Sequence, residues 1–407
     1  MSSWAVPLSA QAVLVLSLSL AVPVADAAHV EERAGLRIAY LAGSPYELGR
    51  QHGELLREEV RASVGTVLGY FRGYLKLPLL GPWAASQWLG WAWRQAKPFV
   101  PRDSLEELRG VADGSGVPLR DLYELHAIPD RTYACSGFAA WGPMTADGRL
   151  IHTRNLDWNI HAGIQEYATV FVMQPAGKHA VIGIGWAGFI GVLSGLNDAQ
   201  LSIGQIGAET ADATYQGEPM VFLMRRVLEE AETLDEAIEI IRQARRTVGV
   251  NYLVADAKAK RAVAIETTRD RAQVFEANDP KEHGVPYARP MPHAVLRADP
   301  AMDPAIRARQ LASHGDPRRP GLEDPVGSSA YDVRYLGQVA GLEAHRGRLD
   351  PARARAIMRA VAPGSNVQSV IFAWPELFVA NAQGTERAAD TPYHRLDVRQ
   401  LFEGLQE

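Results

Sequence analysis

The sequence changes character at residue 135. Residues 28–130 carry helical patterns of apolar side chains, including a capping box at Ser44–Glu47 with Pro45 at the first helical position. From residue 135 onward, short apolar runs bounded by turn signals indicate strands, with two helices and then further strands among them. This order of elements predicts stacked sheets with helices outside them.

Cys135 is the only cysteine among the 407 residues, and it stands at this boundary. A single cysteine excludes an intrachain disulfide, a multi-cysteine zinc site and an iron–sulfur cluster. No histidine pair stands at metal-ligand spacing beside a carboxylate motif, so neither a metal nor a cofactor is expected. The formal net charge of −5 argues against a nucleic-acid partner. Cys135 is therefore either a buried apolar residue or a reactive thiol.

The first residues predict export. Residues 5–24 form an uncharged apolar run that ends near Ala25-Asp26-Ala27, a small-x-small sequence of the kind that signal peptidase cleaves. We predict a signal peptide over residues 1–27 and a secreted or periplasmic protein. The run lacks a basic residue before it and approaches the length of a membrane span, so an uncleaved anchor is the alternative.

Extended segments on either side of Asp147-Gly148 predict a β-hairpin that begins with Cys135. If these two residues form the turn, Cys135 lies opposite Ile160, within a shift of one or two residues. Arg154 and Asp157 then lie on the strand beside the cysteine, where a cation favours the thiolate. Because they are an odd number of residues apart, a straight strand directs them to opposite faces, so a bulge or an irregular strand end is needed.

Three motifs surround this cysteine: Tyr133-Ala-Cys-Ser-Gly-Phe138, Ala146-Asp-Gly-Arg149 and Arg154-Asn-Leu-Asp-Trp158. They resemble the autoproteolytic family typified by acyl-coenzyme A:6-aminopenicillanic acid acyltransferase. That family belongs to the N-terminal nucleophile (Ntn) hydrolases and is related more distantly to the choloylglycine hydrolase and acid ceramidase groups. Four weaker pieces extend the resemblance over most of the chain: Tyr46-Glu-Leu-Gly-Arg-Gln-His-Gly53, Glu107-Leu-Arg-Gly-Val-Ala-Asp-Gly-Ser-Gly116, Gly195-Leu-Asn-Asp198 and Asn251-Tyr-Leu-Val-Ala-Asp256.

The resemblance implies an α+β fold, a four-layer αββα sandwich made as an inactive precursor. The precursor would cleave its own Ala134–Cys135 bond, which divides the exported chain into a helical pro-segment, residues 28–134, and a catalytic segment, residues 135–407. The two pieces would be partner chains from one precursor. The substrate would be a small-molecule N-acyl amide or acyl donor, with a lipid-like acyl group as one alternative, and no cofactor would be needed.

The resemblance also implies roles for single residues. Cys135 would be the nucleophile and, through its new α-amine, the base. Asp157 would hold that amine, Arg154 would support the thiolate, and Asn251 would donate to the oxyanion. Arg334 matches a late Ser/Arg motif of the family at a different spacing. A second oxyanion donor would fall near Gly207, which offers only its backbone.

Other interpretations of these residues stay open. Arg154 and Asp157 alone are typical of a structural ion pair, and Asn251 alone is typical of a turn. His152 offers a papain-like dyad with Cys135 in an unprocessed chain. A non-catalytic secreted binding protein on the same scaffold is the third hypothesis, and it predicts an intact chain.

The stretch 65–100 is rich in tryptophan, with Trp83, Trp88, Trp91 and Trp93 inside a helical pattern. One interpretation is a packed helix pair. The other is an exposed apolar platform that admits lipid-like acyl substrates or contacts a membrane.

Overall fold

The computed structural model describes residues 28–74, 81–129, 134–310 and 330–406. The predicted signal peptide, residues 1–27, lies outside the described residues, so its cleavage stays a prediction.

The described strands form two sheets. The large sheet has nine strands in the order β1 (His29–Arg33), β2 (Leu36–Gly43), β5 (Ala168–Pro175), β6 (Val181–Trp186), β7 (Ser194–Asn197), β8 (Leu201–Gly207), β9 (Val250–Asp256), β10 (Arg261–Thr267) and β11 (Ala272–Phe275). The small sheet has six in the order β12 (Ala294–Arg297), β3 (Ala134–Ala140), β4 (Ile151–Asp157), β13 (Asn366–Ala373), β14 (Glu376–Asn381) and β15 (His394–Asp397). All neighbours are antiparallel except β2 and β5, which are parallel.

Five of the described helices precede β3 in the chain, and six follow it. The first five are α1 (Pro45–Leu55), α2 (Arg57–Tyr74), α3 (Gly81–Ala96), α4 (Arg102–Ser115) and α5 (Leu119–Ala127). The others are α6 (Met220–Glu230), α7 (Leu234–Gln243), α8 (Pro304–Arg307), α9 (Ala330–Ala344), α10 (Pro351–Val361) and α11 (Val398–Glu403).

The two sheets pack face to face, with helices on both outer sides. Between the sheets, Ile38 and Val172 of the large sheet share a buried core with Val370 and Val379 of the small sheet. Helices α1, α6 and α7 lie against the large sheet, whereas α9 and α10 lie against the small sheet. This arrangement is the predicted αββα sandwich, and it buries both faces of each central strand.

The prediction that residues 28–130 are all helical is wrong at their start. β1 and β2 form a hairpin whose turn, Ala34-Gly35, has both φ angles positive, at 53° and 79°. β2 then pairs with β5, so the segment before the cysteine supplies two strands of the large sheet. β2 is buried on both faces, because Ile38 and Tyr40 belong to the core between the sheets while Ala39 and Leu41 belong to the core on the other side.

The capping box at Ser44–Glu47 is present, because the Ser44 hydroxyl accepts from the Glu47 amide while the Glu47 carboxylate accepts from the Ser44 amide. Glu47 lies in the first turn of α1. The box confirms the predicted start of this helix.

Helices α1 and α4 touch through their backbones at four glycines: Gly49, Gly53, Gly110 and Gly114. A Cβ added at Gly49 would stand 1.9 Å from the Glu107 carbonyl oxygen, and one at Gly110 would stand 2.2 Å from the Tyr46 carbonyl oxygen. These distances are below van der Waals contact, so no side chain fits. The glycine spacing in the two upstream motifs is therefore a helix-packing requirement.

In the tryptophan-rich stretch, one tryptophan is packed in the core and three are exposed, so each interpretation fits part of it. Trp93 is buried and stacks on Tyr123 with ring centroids 4.6 Å apart. Trp83, Trp88 and Trp91 are 64%, 40% and 46% exposed. The exposed face of α3 leaves the lipid-platform hypothesis as a prediction. None of the helices in the described residues is both long enough and apolar enough to span a membrane.

We expect Gly49→Ala and Gly110→Ala each to lower the free energy of unfolding by about 1–3 kcal/mol, because the added methyl overpacks the α1–α4 contact. Denaturant titration in a Cys135→Ala background measures this on one covalent chain. Gly69→Ala in α2 is the matched control, since nothing lies within 4 Å of its added Cβ. There the change raises helix propensity and stabilises by up to about 1 kcal/mol. Equal effects at all three positions would contradict the close packing.

Candidate active site

The pairing of β3 with β4 sets the surroundings of the cysteine. Cys135 lies opposite Leu156, so the predicted partner, Ile160, is wrong. The strands are joined by residues 141–150 and not by a two-residue turn. A short 3₁₀ turn, Gly142–Met144, follows β3 and lengthens this connection. Because this connection is longer than a two-residue turn, every residue of β3 pairs with a different residue of β4 from the one predicted.

The Arg154 guanidinium lies beside the thiol, as predicted. Arg154 is opposite Gly137, two residues from Cys135, so both side chains extend from the same face of the small sheet toward the large sheet. Arg154 Nη2 lies 3.3 Å from Cys135 Sγ. Its other nitrogens reach the large sheet, where Nε donates to the Gln205 carbonyl at 3.0 Å and Nη1 donates to Ser194 Oγ at 2.7 Å. These bonds fix the cation against the sulfur.

Asp157 extends from the opposite face of β4. Its Oδ2 accepts from Arg334 Nη1 of α9 at 3.1 Å, and its Oδ1 accepts from Asn366 Nδ2 at 3.0 Å. A register shift between Asn366 and Gln368 of β13 lies beside this strand end. β4 itself keeps a regular register with β3 as far as Asp157, so Arg154 and Asp157 lie on opposite faces and the predicted irregularity of this strand is not found.

Arg334 joins the predicted residues to a carboxylate that the sequence did not reveal. The Arg334 guanidinium pairs with Asp157, with Asp299 and, at 3.4 Å, with the Cys135 carbonyl. Asp299 Oδ1 accepts from the Cys135 backbone nitrogen at 3.1 Å. Asp299 follows β12 (Ala294–Arg297), in a part of the chain where the sequence singled out no site residue. The pairing of β12 with β3 brings it to the cysteine, and no local motif predicts that pairing.

Asn251 also lies at this site, on β9 of the large sheet. Its Nδ2 donates to the carbonyls of Ala298 and Asp299 at 3.0 and 3.3 Å, and it thereby holds the segment that carries the Asp299 carboxylate. Its Oδ1 is buried and finds no hydrogen-bond partner within the described part of the chain. The role of Asn251 as an oxyanion donor stays a prediction.

Gln205 is a second side chain that the sequence did not single out. Its Nε2 lies 3.7 Å from Cys135 Sγ, and its side chain is fully buried. Gln205 is two residues before Gly207, near which a second oxyanion donor was expected from the backbone alone. The backbone donor expected near Gly207 stays a prediction.

His152 lies away from the thiol. It pairs with Ala139, four residues along β3 from Cys135, and its Nδ1 is 2.8 Å from Ser202 Oγ. Burial of the ring lowers the pKa of His152 to about 3, and the positive charge of the nearby Arg154 contributes a smaller effect in the same direction. The ring is therefore neutral. This geometry does not form the papain-like dyad.

Burial dominates the electrostatics of the site. It raises the pKa of the Cys135 thiol, and the Arg154 charge only partly opposes this, so the thiol stays protonated in this state. Burial also raises the pKa of Asp157 to about 6, against the opposing effects of Arg334 and Asn366. For Arg334, burial disfavours the charge, but Asp299 and Asp157 outweigh it and raise the pKa.

Nothing in this arrangement resembles a metal centre: across the four described ranges, no group of three or more His, Cys, Asp and Glu side chains is placed to hold an ion. The groups around Cys135 are instead those of nucleophilic chemistry: a thiol, a cation beside it, and carboxylates near its backbone nitrogen.

Residues 144–284 match the family model for acyl-coenzyme A:6-aminopenicillanic acid acyl-transferase. This match confirms the predicted family resemblance. The matched segment contains Arg154, Asp157 and Asn251, while Cys135 and Arg334 lie on either side of it.

Individual proteins are similar to longer parts of the chain. The protein dcd1B of Dictyostelium discoideum is 27% identical over 283 residues, which cover 64% of this chain and 56% of that protein. The N-acylethanolamine-hydrolyzing acid amidase of Caenorhabditis elegans is 24% identical over 210 residues, which cover 46% of this chain and 58% of that protein. The chain thus spans somewhat more than half the length of these relatives. Among solved structures, penicillin V acylase from Agrobacterium tumefaciens has 15% identity and a TM-score of 0.44, covering 66% of this chain and 87% of that one.

The raised pKa of Asp157 predicts a pH-dependent cost of burying this carboxylate. A carboxyl whose pKa is raised on folding stabilises the fold below its unfolded pKa, here 3.8, and that stability is lost as the pH rises through about 6. In a Cys135→Ala background, we expect Asp157→Asn to gain about 1 kcal/mol of stability relative to its parent between pH 5 and pH 7.5. Urea titration at the two pH values measures the difference.

Asp390→Asn is the control for this titration. Arg387 and Arg359 hold the pKa of Asp390 at about 2, so this carboxylate is ionised at both pH values. Its replacement should have the same effect at pH 5 as at pH 7.5. If Asp157→Asn behaves in the same pH-independent way, the Asp157 pKa is not raised.

Proposed function

We propose that this chain is an exported Ntn amidohydrolase or acyltransferase. It cleaves itself at Ala134–Cys135 and then cleaves a linear N-acyl amide through a thioester on Cys135. The acyl group passes from the sulfur to water or to an amine. The observation that carries this proposal is the arrangement at Cys135, where Arg154 Nη2 lies 3.3 Å from the sulfur and a carboxylate oxygen lies 3.1 Å from the nitrogen.

Self-cleavage begins with attack of Cys135 Sγ on the Ala134 carbonyl carbon. The C–S bond forms, the C–N bond breaks, and the thiol proton ends on the Cys135 nitrogen. Water then adds to the thioester, which leaves a carboxylate on Ala134 and returns a hydrogen to the sulfur. A positioned cation beside the sulfur favours the attack, because it stabilises the developing thiolate.

Amide turnover repeats this chemistry with an external substrate. The freed α-amine of Cys135, with an ordinary pKa of about 7.7–8.0, takes the thiol proton and delivers it to the leaving amine. Nucleophile and base thus share one residue, and no histidine is needed. The buried, neutral His152 is consistent with this, since it lies on another part of β4.

Contacts between the two predicted segments support a mature enzyme of two associated chains. β2 of the first segment pairs with β5 of the second. Glu107 of α4 accepts a buried hydrogen bond from Arg225 Nη1 of α6 at 2.8 Å. His52 and His126, both fully buried, accept from backbone amides of the second segment, at Gly188 and Ile190. Such a buried interface favours retention of the first chain after cleavage.

An apolar cavity beside the cysteine supports an apolar acyl group. It lies between α2, α5 and the ends of the sheets, and Leu156, the ladder partner of Cys135, forms part of its wall. Other lining residues include Val67, Leu125, Trp158, Phe189 and Leu193. Since the lining side chains are apolar or aromatic, the cavity favours a hydrocarbon chain over a charged group. The name of the relative from Caenorhabditis elegans, a hydrolase of N-acylethanolamines, agrees with such a substrate.

Intact mass and N-terminal sequencing of the purified protein test the proposal. We expect two fragments that begin at Ala28 and Cys135, because signal removal and self-cleavage each create a new N-terminus. Cys135→Ala removes the nucleophile and should give one chain that begins at Ala28 and has no amidase activity. A wild-type protein that stays in one piece yet hydrolyses amides would overturn autoactivation, and one that does neither would favour a binding protein.

The cavity generates a prediction about acyl length. Leu193→Trp fills the cavity, so we expect it to lower kcat/KM for a decanoyl amide at least about tenfold while leaving an acetyl amide within about twofold. Leu55→Trp is the control, because Leu55 is 38% exposed on α1 and lies outside the cavity. A uniform loss on both substrates, or no loss, would place the acyl group elsewhere.

A further inference from the structure

The Cys135 nitrogen is the atom whose chemistry changes most in the proposed reaction. It is a peptide amide in the precursor and an α-amine in the mature enzyme. Its hydrogen-bond acceptor is Asp299 Oδ1, at 3.1 Å, and the Asp299 carboxylate is buried. Resting on the proposed function, we propose that Asp299 is the carboxylate that holds this nitrogen in both states and is the direct counter-ion of the α-amine.

The segment that carries Asp299 is fixed from several sides. Its backbone carbonyl accepts from Asn251 Nδ2 at 3.3 Å and from Gln310 Nε2 at 2.8 Å. Its carboxylate pairs with Arg334, which leaves the other oxygen directed at the Cys135 nitrogen. A carboxylate held in this way needs no rearrangement when the nitrogen gains charge.

A buried ion pair between Glu266 and Arg297 also holds this segment in place. Glu266 of β10 accepts from Arg297 Nε at 2.8 Å and from the backbone amides of Met302 and Asp303, each at 2.8 Å. Arg297 precedes the loop and Met302 and Asp303 follow Asp299, so both ends of the loop attach to one carboxylate. Asp299 therefore lies on a short loop with fixed ends.

Asp157, to which the family resemblance gives this role, makes different contacts. Its oxygens accept from Arg334 and Asn366. It acts on the nitrogen through Arg334, which carries one carboxylate on each side. The two carboxylates therefore have different roles. Asp299 accepts a hydrogen bond from the nitrogen, and Asp157 holds Arg334, which in turn orients Asp299.

The charge of Asp299 has a consequence for the amine. After cleavage the nitrogen can bind a proton, and an adjacent carboxylate stabilises the resulting ammonium ion and raises its pKa. Among the described residues, the other charged groups near this nitrogen include Asp157, Arg154 and Arg334, and the Asp299→Asn and Asp299→Glu variants leave these in place. Because the neutral amine is the base, losing the Asp299 charge moves the onset of activity to lower pH.

The acidic limb of the kcat/KM profile of the mature protein tests the assignment, with N-butyryl-4-nitroanilide as the probe. We expect Asp299→Asn to shift this limb to lower pH by about one unit. Asp299→Glu keeps the charge and should leave the limb within about half a unit of wild type. Asp157→Asn is the matched control, a second buried carboxylate on Arg334, and should shift the limb less than Asp299→Asn does.

A limb that moves in Asp157→Asn and stays in place in Asp299→Asn would overturn the assignment, as would a lower kcat with an unmoved limb in Asp299→Asn. Thermal melting shows whether each variant folds. If Asp299→Asn is folded but uncleaved, Asp299→Glu decides: cleavage with a wild-type limb supports the assignment, and loss of cleavage in both variants overturns the role of charge.

The two proposals fail in different ways. A wild-type protein that neither cleaves itself nor hydrolyses the probe contradicts the proposed function. A wild-type protein that does both, while Asp299→Asn keeps the wild-type limb, contradicts only the role of Asp299.

Discussion

Cys135 faces Leu156 across the β3–β4 ladder, and this register decides which groups surround the cysteine. It directs Arg154 toward the large sheet on the side of the sulfur, and Asp157 toward α9 on the other side. A shift of one residue would exchange the two faces and separate the cation from the thiol. The same register places Leu156, which forms part of the wall of the apolar cavity, directly opposite Cys135.

Arg334 lies buried between two carboxylates, Asp157 and Asp299. Taking three charges out of water is costly, and apolar residues of similar size often stabilise a fold as well or better. The cluster is therefore better explained by its position beside the Cys135 backbone than by stability. It provides fixed charges around the nitrogen and carbonyl of one residue, as the proposed change from amide to amine would require.

Several local features could be predicted from the sequence, since they depend on neighbouring residues. The box at Ser44–Glu47 starts α1 as expected, and the odd spacing of Arg154 and Asp157 places them on opposite faces of a regular strand. The strands before α1 were missed, because β2 completes its pairing only with β5, far along the chain. The hairpin register was wrong, because residues 141–150 form a longer connection than Asp147-Gly148 indicates.

The sequence by itself determined the chemistry that is available: one cysteine where helical patterns give way to strands, with an arginine and an aspartate at a fixed spacing after it. Only the tertiary structure decided which groups meet the cysteine nitrogen. Asp299 and Cys135 are 164 residues apart, and their contact follows from the pairing of β12 with β3. Such pairing depends on contacts between residues that are far apart in the sequence, so residue type and local periodicity do not predict it.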